Sequence, residues 1–138
     1  MKIAIDIQGC QSEISSKRGI GRYSSNFIKA LIRNYPDNQY YLFANAGARD
    51  IKSEFSHELF SKKYNVNYIK WYSPGLINDD FISKELRIQI AKQMRSYMLS
   101  ELNLDIILIT SFLEGYLDNS VVDLDFSYHL PLICCVFY

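Results

Sequence analysis

The sequence predicts an α/β protein: a Rossmann-like parallel sheet of about five strands, with helices on both faces. Two observations indicate this fold. Short apolar runs alternate along the whole chain with segments of helical periodicity, which is typical of βαβ units. The chain has 138 residues, of which 49% are apolar and 22% charged, as in an ordinary globular domain. We therefore expect a single domain over residues 1–138.

Five apolar runs predict the strands, at residues 3–7, 40–43, 66–71, 105–109 and 132–138. Apolar residues at helical spacing predict a helix over 20–35, which ends before Pro36 because proline disfavours helical geometry in the residue preceding it. A weaker pattern predicts a helix over 50–63. The longest helix is expected over 79–101, with Asn78 or Asp79 as its cap and with apolar residues recurring at Ile82, Leu86, Ile90, Met94 and Tyr97.

Charge and cysteine content exclude several classes of protein. Fifteen basic residues balance fifteen acidic ones, so no overall field favours nucleic acid, and we expect no nucleic-acid partner. The amino terminus lacks the features of a signal peptide, and no apolar stretch is long enough to span a membrane. Cys10, Cys134 and Cys135 form neither a disulfide framework nor a metal-binding spacing, so we expect no metal site and a reduced, cytoplasmic compartment.

The carboxyl-terminal run is apolar on both faces and is followed by no helix or polar tail. A strand that is apolar on both faces is normally covered by other parts of the protein on both faces. Three interpretations stay open: the sequence is a piece of a longer protein, its end docks against another chain, or it is a complete small domain with an unusual terminus.

The sharpest local signal is the segment Lys17-Arg18-Gly19-Ile20-Gly21-Arg22, which opens the first long helix. Glycines permit close backbone approach, and a helix amino terminus carries unpaired amides with positive partial charge. Residues 14–36 contain five Lys or Arg and no acid. Together these features predict a cradle for phosphate at Gly19, Gly21 and Arg22. The alternative is that the glycines shape a turn and the cations form a solvated face.

Other nucleotide and catalytic patterns fit poorly. Eleven residues separate Ile7 from Gly19, Ser24 stands where a third glycine is needed, and Asn45 replaces the acid that holds a ribose. An NAD-binding domain is therefore disfavoured, and the Walker pattern is absent. No catalytic triad can be assembled, so the catalytic residues stay unknown. Asp6, near the end of the first strand, is either functional or satisfied by neighbouring amides.

Three segments carry a family resemblance: Met1-Lys-Ile-Ala-Ile-Asp-Ile-Gln-Gly-Cys-Gln, Arg18-Gly-Ile-Gly-Arg-Tyr23 and Ser111-Phe-Leu-Glu-Gly115. With them the chain resembles the amino-terminal half of GT-B glycosyltransferases of family 4. It is most similar to the bacterial members that build O-antigen and related polysaccharides, often mannosyltransferases. The resemblance spans most of the chain but one half of such an enzyme.

The resemblance implies an acceptor-side domain in which Gly19, Gly21 and Arg22 lie near the diphosphate of the donor. Tyr72, Ser111, Phe112 and Glu114 are the expected acceptor-binding residues. The expected partners are a nucleotide sugar, with GDP-mannose as the candidate donor, and a saccharide acceptor. No metal or other cofactor is implied, and peripheral membrane contact is an expectation for the full enzyme. The carboxyl-terminal donor-binding domain, with its basic pair and Glu-x7-Glu motif, is absent from this chain, which should be inactive alone.

The sequence leaves a second function open. A non-catalytic binding or assembly module would use the apolar terminal strand to associate, for example as a homodimer. Whether the chain is an enzyme is therefore undecided by the sequence.

Overall fold

The computed structural model describes residues 1–16, 18–55, 57–74, 83–112 and 120–136. Its centre is a five-stranded, all-parallel sheet in the order β3-β2-β1-β4-β5. The strands are β1 (Lys2–Asp6), β2 (Gln39–Asn45), β3 (Asn65–Trp71), β4 (Ile106–Ile109) and β5 (Leu132–Cys135). The helices are α1 (Gln8–Gln11), α2 (Gly19–Asn34) and α3 (Lys84–Ser100). The predicted Rossmann-like α/β fold is confirmed.

Side chains that alternate along β1 separate the core into two layers. Ile3 and Ile5 point to one face of the sheet, where they pack in a buried cluster with Ile28 and Ile32 of α2. Ala4 points to the other face and lies in a second cluster that includes Ala91 of α3. The helices therefore cover both faces, as the sequence predicts.

The two long helices have identifiable ends. The amide of Tyr35 closes α2 by donating to the carbonyl of Leu31, and Pro36 follows, so the predicted stop is confirmed. The hydroxyl of Ser83 caps α3 by accepting from the amide of Leu86, 3.2 Å away. The predicted caps Asn78 and Asp79 lie outside the described residues.

The prediction of a helix over residues 50–63 is wrong. Its described part contains two short 3-10 turns, Lys52–Glu54 and His57–Phe60. The side chain of Asp50 accepts from the amide of Lys52 at 2.9 Å, which gives the backbone an alternative to a regular helix. Ile51, Phe55 and Leu59 still reach the core, because a chain of short turns buries them as well as a helix would.

Helix α3 is unusual because two arginines are buried on its inward face while large apolar side chains lie on its outward face. The buried residues are Arg87, Ala91, Arg95, Ser96 and Leu99. Three of the residues at the predicted apolar spacing lie in solvent: Leu86 is 47% exposed, Met94 40% and Tyr97 52%.

Within the described chain, no helix is long and apolar enough to cross a membrane.

Candidate functional site

The amino terminus of α2 lies at the carboxyl edge of the sheet, where ligands of open parallel sheets collect. Two contacts fix its place. The thiol Sγ of Cys10, just beyond β1, lies 3.8 Å from the carbonyl of Gly21. The hydroxyl of Ser24 donates to the carbonyl of Thr110, just beyond β4, at 3.2 Å. The glycine segment thus sits above β1 and β4, at the edge predicted from the sequence.

Gly21 is a point of close backbone approach. Its amide donates to the carbonyl of Ser15 at 3.1 Å. A Cβ at this position would lie 2.5 Å from the Ser15 oxygen and 2.5 Å from the Cα of Ser16. Only glycine lets residues 12–16 pack against the first turn of α2. The amide of Gly21 is therefore already engaged inside the chain, and its predicted proximity to phosphate stays a prediction.

Gly19 and Arg22 are exposed at the same terminus. Nothing lies within 4 Å of a Cβ built on Gly19. Within the described ranges, no backbone acceptor lies against the amides of Gly19 and Ile20. Arg18, the residue before the helix, is exposed as well. The backbone amides of this first turn, two arginines and the positive end of the helix dipole can attract an anion here. Lys17, the third predicted cation, lies outside the described residues.

The carboxylate of Asp6 is hydrogen-bonded by neighbouring residues. Of the two roles that the sequence left open for this acid, the structure therefore favours the second, an acid satisfied within the fold. It is 3% exposed. Its carboxylate accepts from the backbone amide of Gln8 at 2.9 Å and from the side-chain amide of Gln8 at 3.0 Å. Arg95 Nη2 donates to the same carboxylate at 2.5 Å and is itself fully buried. An acid enclosed in this way stabilises the fold and is not placed to act on a ligand.

Arg95 and Gln8 also hold the last part of the connection between β4 and β5. Arg95 Nη1 donates to the carbonyls of Val122 and Asp123 at 2.8 and 2.9 Å. The side chain of Gln8 bonds both the amide and the carbonyl of Val121, at 3.0 and 2.9 Å. The segment beginning at Ser120 is therefore fixed to the carboxyl end of β1 by a buried polar network.

The polar network continues to the end of β2. Asn45, at the position where a dinucleotide-binding protein carries an acid, is fully buried. Gln11 brackets it, accepting from its amide at 2.8 Å and donating to its carbonyl at 2.9 Å. These contacts of Asn45 with Gln11 agree with the sequence-based exclusion of a ribose site.

Burial is the main cause that raises the pKa of the nearby Cys10 thiol to about 12, so this cysteine is no nucleophile at neutral pH.

The predicted acceptor-binding residues are dispersed along the edge. Tyr72 follows β3 and is 69% exposed, whereas Ser111 is buried and Phe112 packs partly against the second core cluster. Because β2 and β1 lie between β3 and β4, Tyr72 and Phe112 are about 14 Å apart along the sheet, three strand spacings. Ser111 and Phe112 lie near the glycine segment, and Tyr72 does not. Glu114 lies outside the described residues.

Two cavities open at the opposite edge of the sheet. One, of about 430 Å³, is lined by Met1, Lys2 and Asp105 among others. The other, of about 270 Å³, is lined by Leu99, His129 and neighbouring residues. Both lie where strands begin, so we place the candidate site at the carboxyl edge instead. Among the described residues, no cluster of three His, Cys, Asp or Glu could hold a metal ion.

Comparison with known proteins gives one informative similarity. No family model and no solved structure matches the chain. The chain is similar to the serotype-specific mannosyltransferase WbdA of Escherichia coli, with 28% identity over the aligned region. The match covers 90% of this chain and 15% of WbdA. The chain is thus glycosyltransferase-like and corresponds to a small part of a much longer relative.

Sequence reasoning missed Arg95, Gln8 and Gln11, whose side chains organise this edge. A signal was present for Arg95. With Arg87 it lies on one face of α3, eight residues away, and that face also carries Ala91 and Leu99. Arginine at helical spacing among small and apolar residues indicates burial, and a buried arginine requires an acid such as Asp6.

Proposed function

We propose that the chain is the acceptor-side, amino-terminal domain of a retaining GT-B glycosyltransferase of family 4. The complete enzyme would transfer a sugar from a nucleotide diphosphate sugar to a polysaccharide or a lipid-linked saccharide. The observation that carries this proposal is the similarity to a mannosyltransferase over 90% of the chain. The parallel sheet and the basic amino terminus of α2 at its carboxyl edge support it.

In this proposal the first turn of α2 faces the diphosphate of the donor. As the glycosidic bond to the donor breaks, negative charge grows on the leaving phosphate. The amides of Gly19 and Ile20 and the guanidinium of Arg22 would stabilise that charge, because donors fixed in place need not reorganise during the reaction. Gly21 would serve this arrangement indirectly, by letting residues 12–16 pack beneath the turn.

The acceptor would lie along the same edge of the sheet. Ser111 and Phe112 would contact the sugar nearest the donor, together with Glu114, two residues further along the chain. Tyr72 offers an exposed ring on which a sugar face can stack. Its distance from Phe112 suits an acceptor of several sugar rings rather than a monosaccharide. The chain matches 15% of its relative's length, and we expect these residues on their own to bind ligands without catalysing transfer.

Amide NMR of the labelled chain, titrated with GDP-mannose and with a mannose oligosaccharide, tests the proposal. We expect GDP-mannose to shift the amides of Gly19 and Ile20, and the oligosaccharide to shift those near Tyr72 or Phe112. Arg22→Gln should weaken GDP-mannose binding about tenfold or more, the range of a hydrogen bond to a charged group. Arg33→Gln is the matched control, because Arg33 lies at the far end of the same helix and pairs with Glu58.

Three results would contradict the proposal. They are unchanged affinity in Arg22→Gln, equal weakening by Arg33→Gln, and saturable binding of NAD without binding of any nucleotide sugar.

A second function, an assembly module acting through β5, has one supporting observation. Leu132 on this edge strand is 64% exposed, and its strand pairs only with β4 in the described part of the sheet. If this function is correct, the chain should form a dimer that Leu132→Lys disrupts, which sedimentation measurements would detect.

A further inference from the structure

The side-chain amide of Gln8 uses every hydrogen bond that it can make. Its Nε2 donates to the carboxylate of Asp6 at 3.0 Å and to the carbonyl of Val121 at 2.9 Å. Its Oε1 accepts from the amide of Val121 at 3.0 Å and from the side chain of Asn45 at 3.1 Å. A primary amide has two N–H donors and an oxygen with two acceptor positions, so this fully buried side chain is saturated.

Two of these four bonds join Gln8 to both polar backbone groups of Val121. Residues opposite each other in an antiparallel sheet exchange bonds in the same way, so a side chain here takes the place of a strand just beyond the end of β1. Arg95 holds the next two residues, by donating to the carbonyls of Val122 and Asp123. The path of this segment is therefore fixed in position and in direction.

The same segment shares a core cluster with Phe112. Val121 and Val122 are buried members of the second cluster, and the half-buried ring of Phe112 packs against that cluster. The chain just before the ring is also fixed, because the hydroxyl of Thr110 donates to the carbonyl of Asp6 at 2.9 Å. The carboxyl end of β1 thus holds both the chain that leads into the ring and the segment that shares its cluster.

We propose that Gln8 is a positioning residue for the saccharide. By holding residues 121 and 122 it keeps the ring of Phe112 in one orientation before a sugar arrives. A side chain that is already ordered does not have to be ordered on binding, which raises the affinity for the ligand. The inference rests on the proposed function, because it takes Phe112 as a contact of the sugar.

The effect of Gln8 should be confined to the saccharide. The first turn of α2, which is proposed to face the diphosphate, is fixed by other contacts. The amide of Gly21 donates to the carbonyl of Ser15, and the hydroxyl of Ser24 donates to the carbonyl of Thr110. Loss of the Gln8 side chain leaves both of these bonds in place.

Amide NMR titrations with a mannose oligosaccharide and, separately, with GDP-mannose test the inference. Gln8→Met keeps an unbranched side chain of similar size but removes all four bonds. It should weaken oligosaccharide binding about fivefold, the cost of ordering one side chain, and leave the affinity for GDP-mannose unchanged. Gln11→Met is the matched control, because Gln11 is also buried but its bonds go to Asn45 and Arg49. It should change neither affinity.

A second variant reaches the same segment from α3 and serves if Gln8→Met does not fold. Arg95→Lys keeps a cation opposite Asp6, but one ammonium group cannot replace the two Nη groups that bond Asp6 on one side and the carbonyls of Val122 and Asp123 on the other. It should show the same selective loss of oligosaccharide affinity.

A double-variant cycle identifies the ring as the target of the effect. In a Phe112→Leu background, Gln8→Met should cost no further oligosaccharide affinity, because the ring that it orients is gone. A general loss of stability would instead lower the affinity in both backgrounds alike.

Several results would overturn the positioning role while the proposed function stands. They are equal weakening by Gln8→Met and Gln11→Met, equal weakening of both ligands by Gln8→Met, and a Gln8→Met effect that persists in full with Phe112→Leu. Full oligosaccharide affinity in both Gln8→Met and Arg95→Lys would do the same. A wild-type chain that binds neither ligand would refute the proposed function, and this inference with it.

Discussion

Gly21 and Gly19 have opposite structural roles although they are two residues apart. Gly21→Ala should lower the free energy of unfolding by about 2 kcal/mol, because its Cβ would overlap the backbone of Ser15 and Ser16, which cannot rotate away. Gly19→Ala meets open space and should change stability by less than about 1 kcal/mol, towards greater stability. Urea denaturation measures both values. Equal effects of the two substitutions would contradict the packing role of Gly21.

The structural roles of some single residues can be predicted from the sequence, and those of others cannot. The exposed cations Arg18 and Arg22 follow from a helix start rich in glycine and basic residues. The engaged amide of Gly21 does not, because it depends on where residues 12–16 turn back. That turn contains three serines, whose side-chain hydrogen bonds are compatible with many loop geometries. The local sequence pattern therefore does not predict which geometry forms.

At the scale of elements, the ion pair of Asp6 and Arg95 joins β1, α3 and the segment after Ser120. Arg95→Ala should lower the free energy of unfolding by about 3–5 kcal/mol, because it leaves a buried carboxylate uncompensated. Adding Asp6→Asn should restore part of this loss, so that the double variant Asp6→Asn/Arg95→Ala is less destabilised than the sum of the two single changes.

Equilibrium denaturation of the three variants measures this coupling. Additive effects within about 0.5 kcal/mol would show that the pair contributes no interaction of its own. Proteolysis at residues 120–125 provides a second readout, and it should accelerate in Arg95→Ala before global unfolding.

The elements themselves were predicted with different success. All five strands and α2 follow from the sequence pattern, since the strands are short apolar runs in a sheet covered on both faces and α2 presents one apolar face. The segment at 50–63 and the orientation of α3 do not. In the first, the Asp50 side chain competes for the backbone amides. In the second, apolar spacing marks a face without saying what covers it, and the buried arginines reverse the usual orientation.

For the whole molecule, stability should fall in acid. A hydrogen bond from Lys70 lowers the pKa of Asp50 below its ordinary value, and the backbone amide of Ser127 does the same for Asp125. A lowered folded-state pKa contributes stability above the unfolded value, which is lost as pH falls through the folded one. The thermal midpoint should therefore decrease below about pH 4. In Asp50→Asn this decrease should be smaller, and an unchanged profile would contradict the assignment.

Some features of the candidate site can be predicted from the sequence, whereas others cannot because they depend on the packing of the whole sheet. The edge that carries it follows from the parallel direction of the strands, which the alternation of strands and helices already indicates. The distance between Tyr72 and Phe112 requires knowing that β1 and β2 lie between β3 and β4. Such long-range order is set by the packing of the whole sheet and is not encoded in any local pattern.

The central place of β1 also affects how the protein is made. Ile3 pairs with Ile106 on one side, so β1 finds its β4 neighbour only after about a hundred more residues have been synthesised. Until then it can pair with β2 alone, leaving one edge of a very apolar strand open to solvent or to a chaperone. Pairing on this side of β1 should therefore wait until β4 has been synthesised, and any nascent chain stalled before β4 would be prone to aggregate.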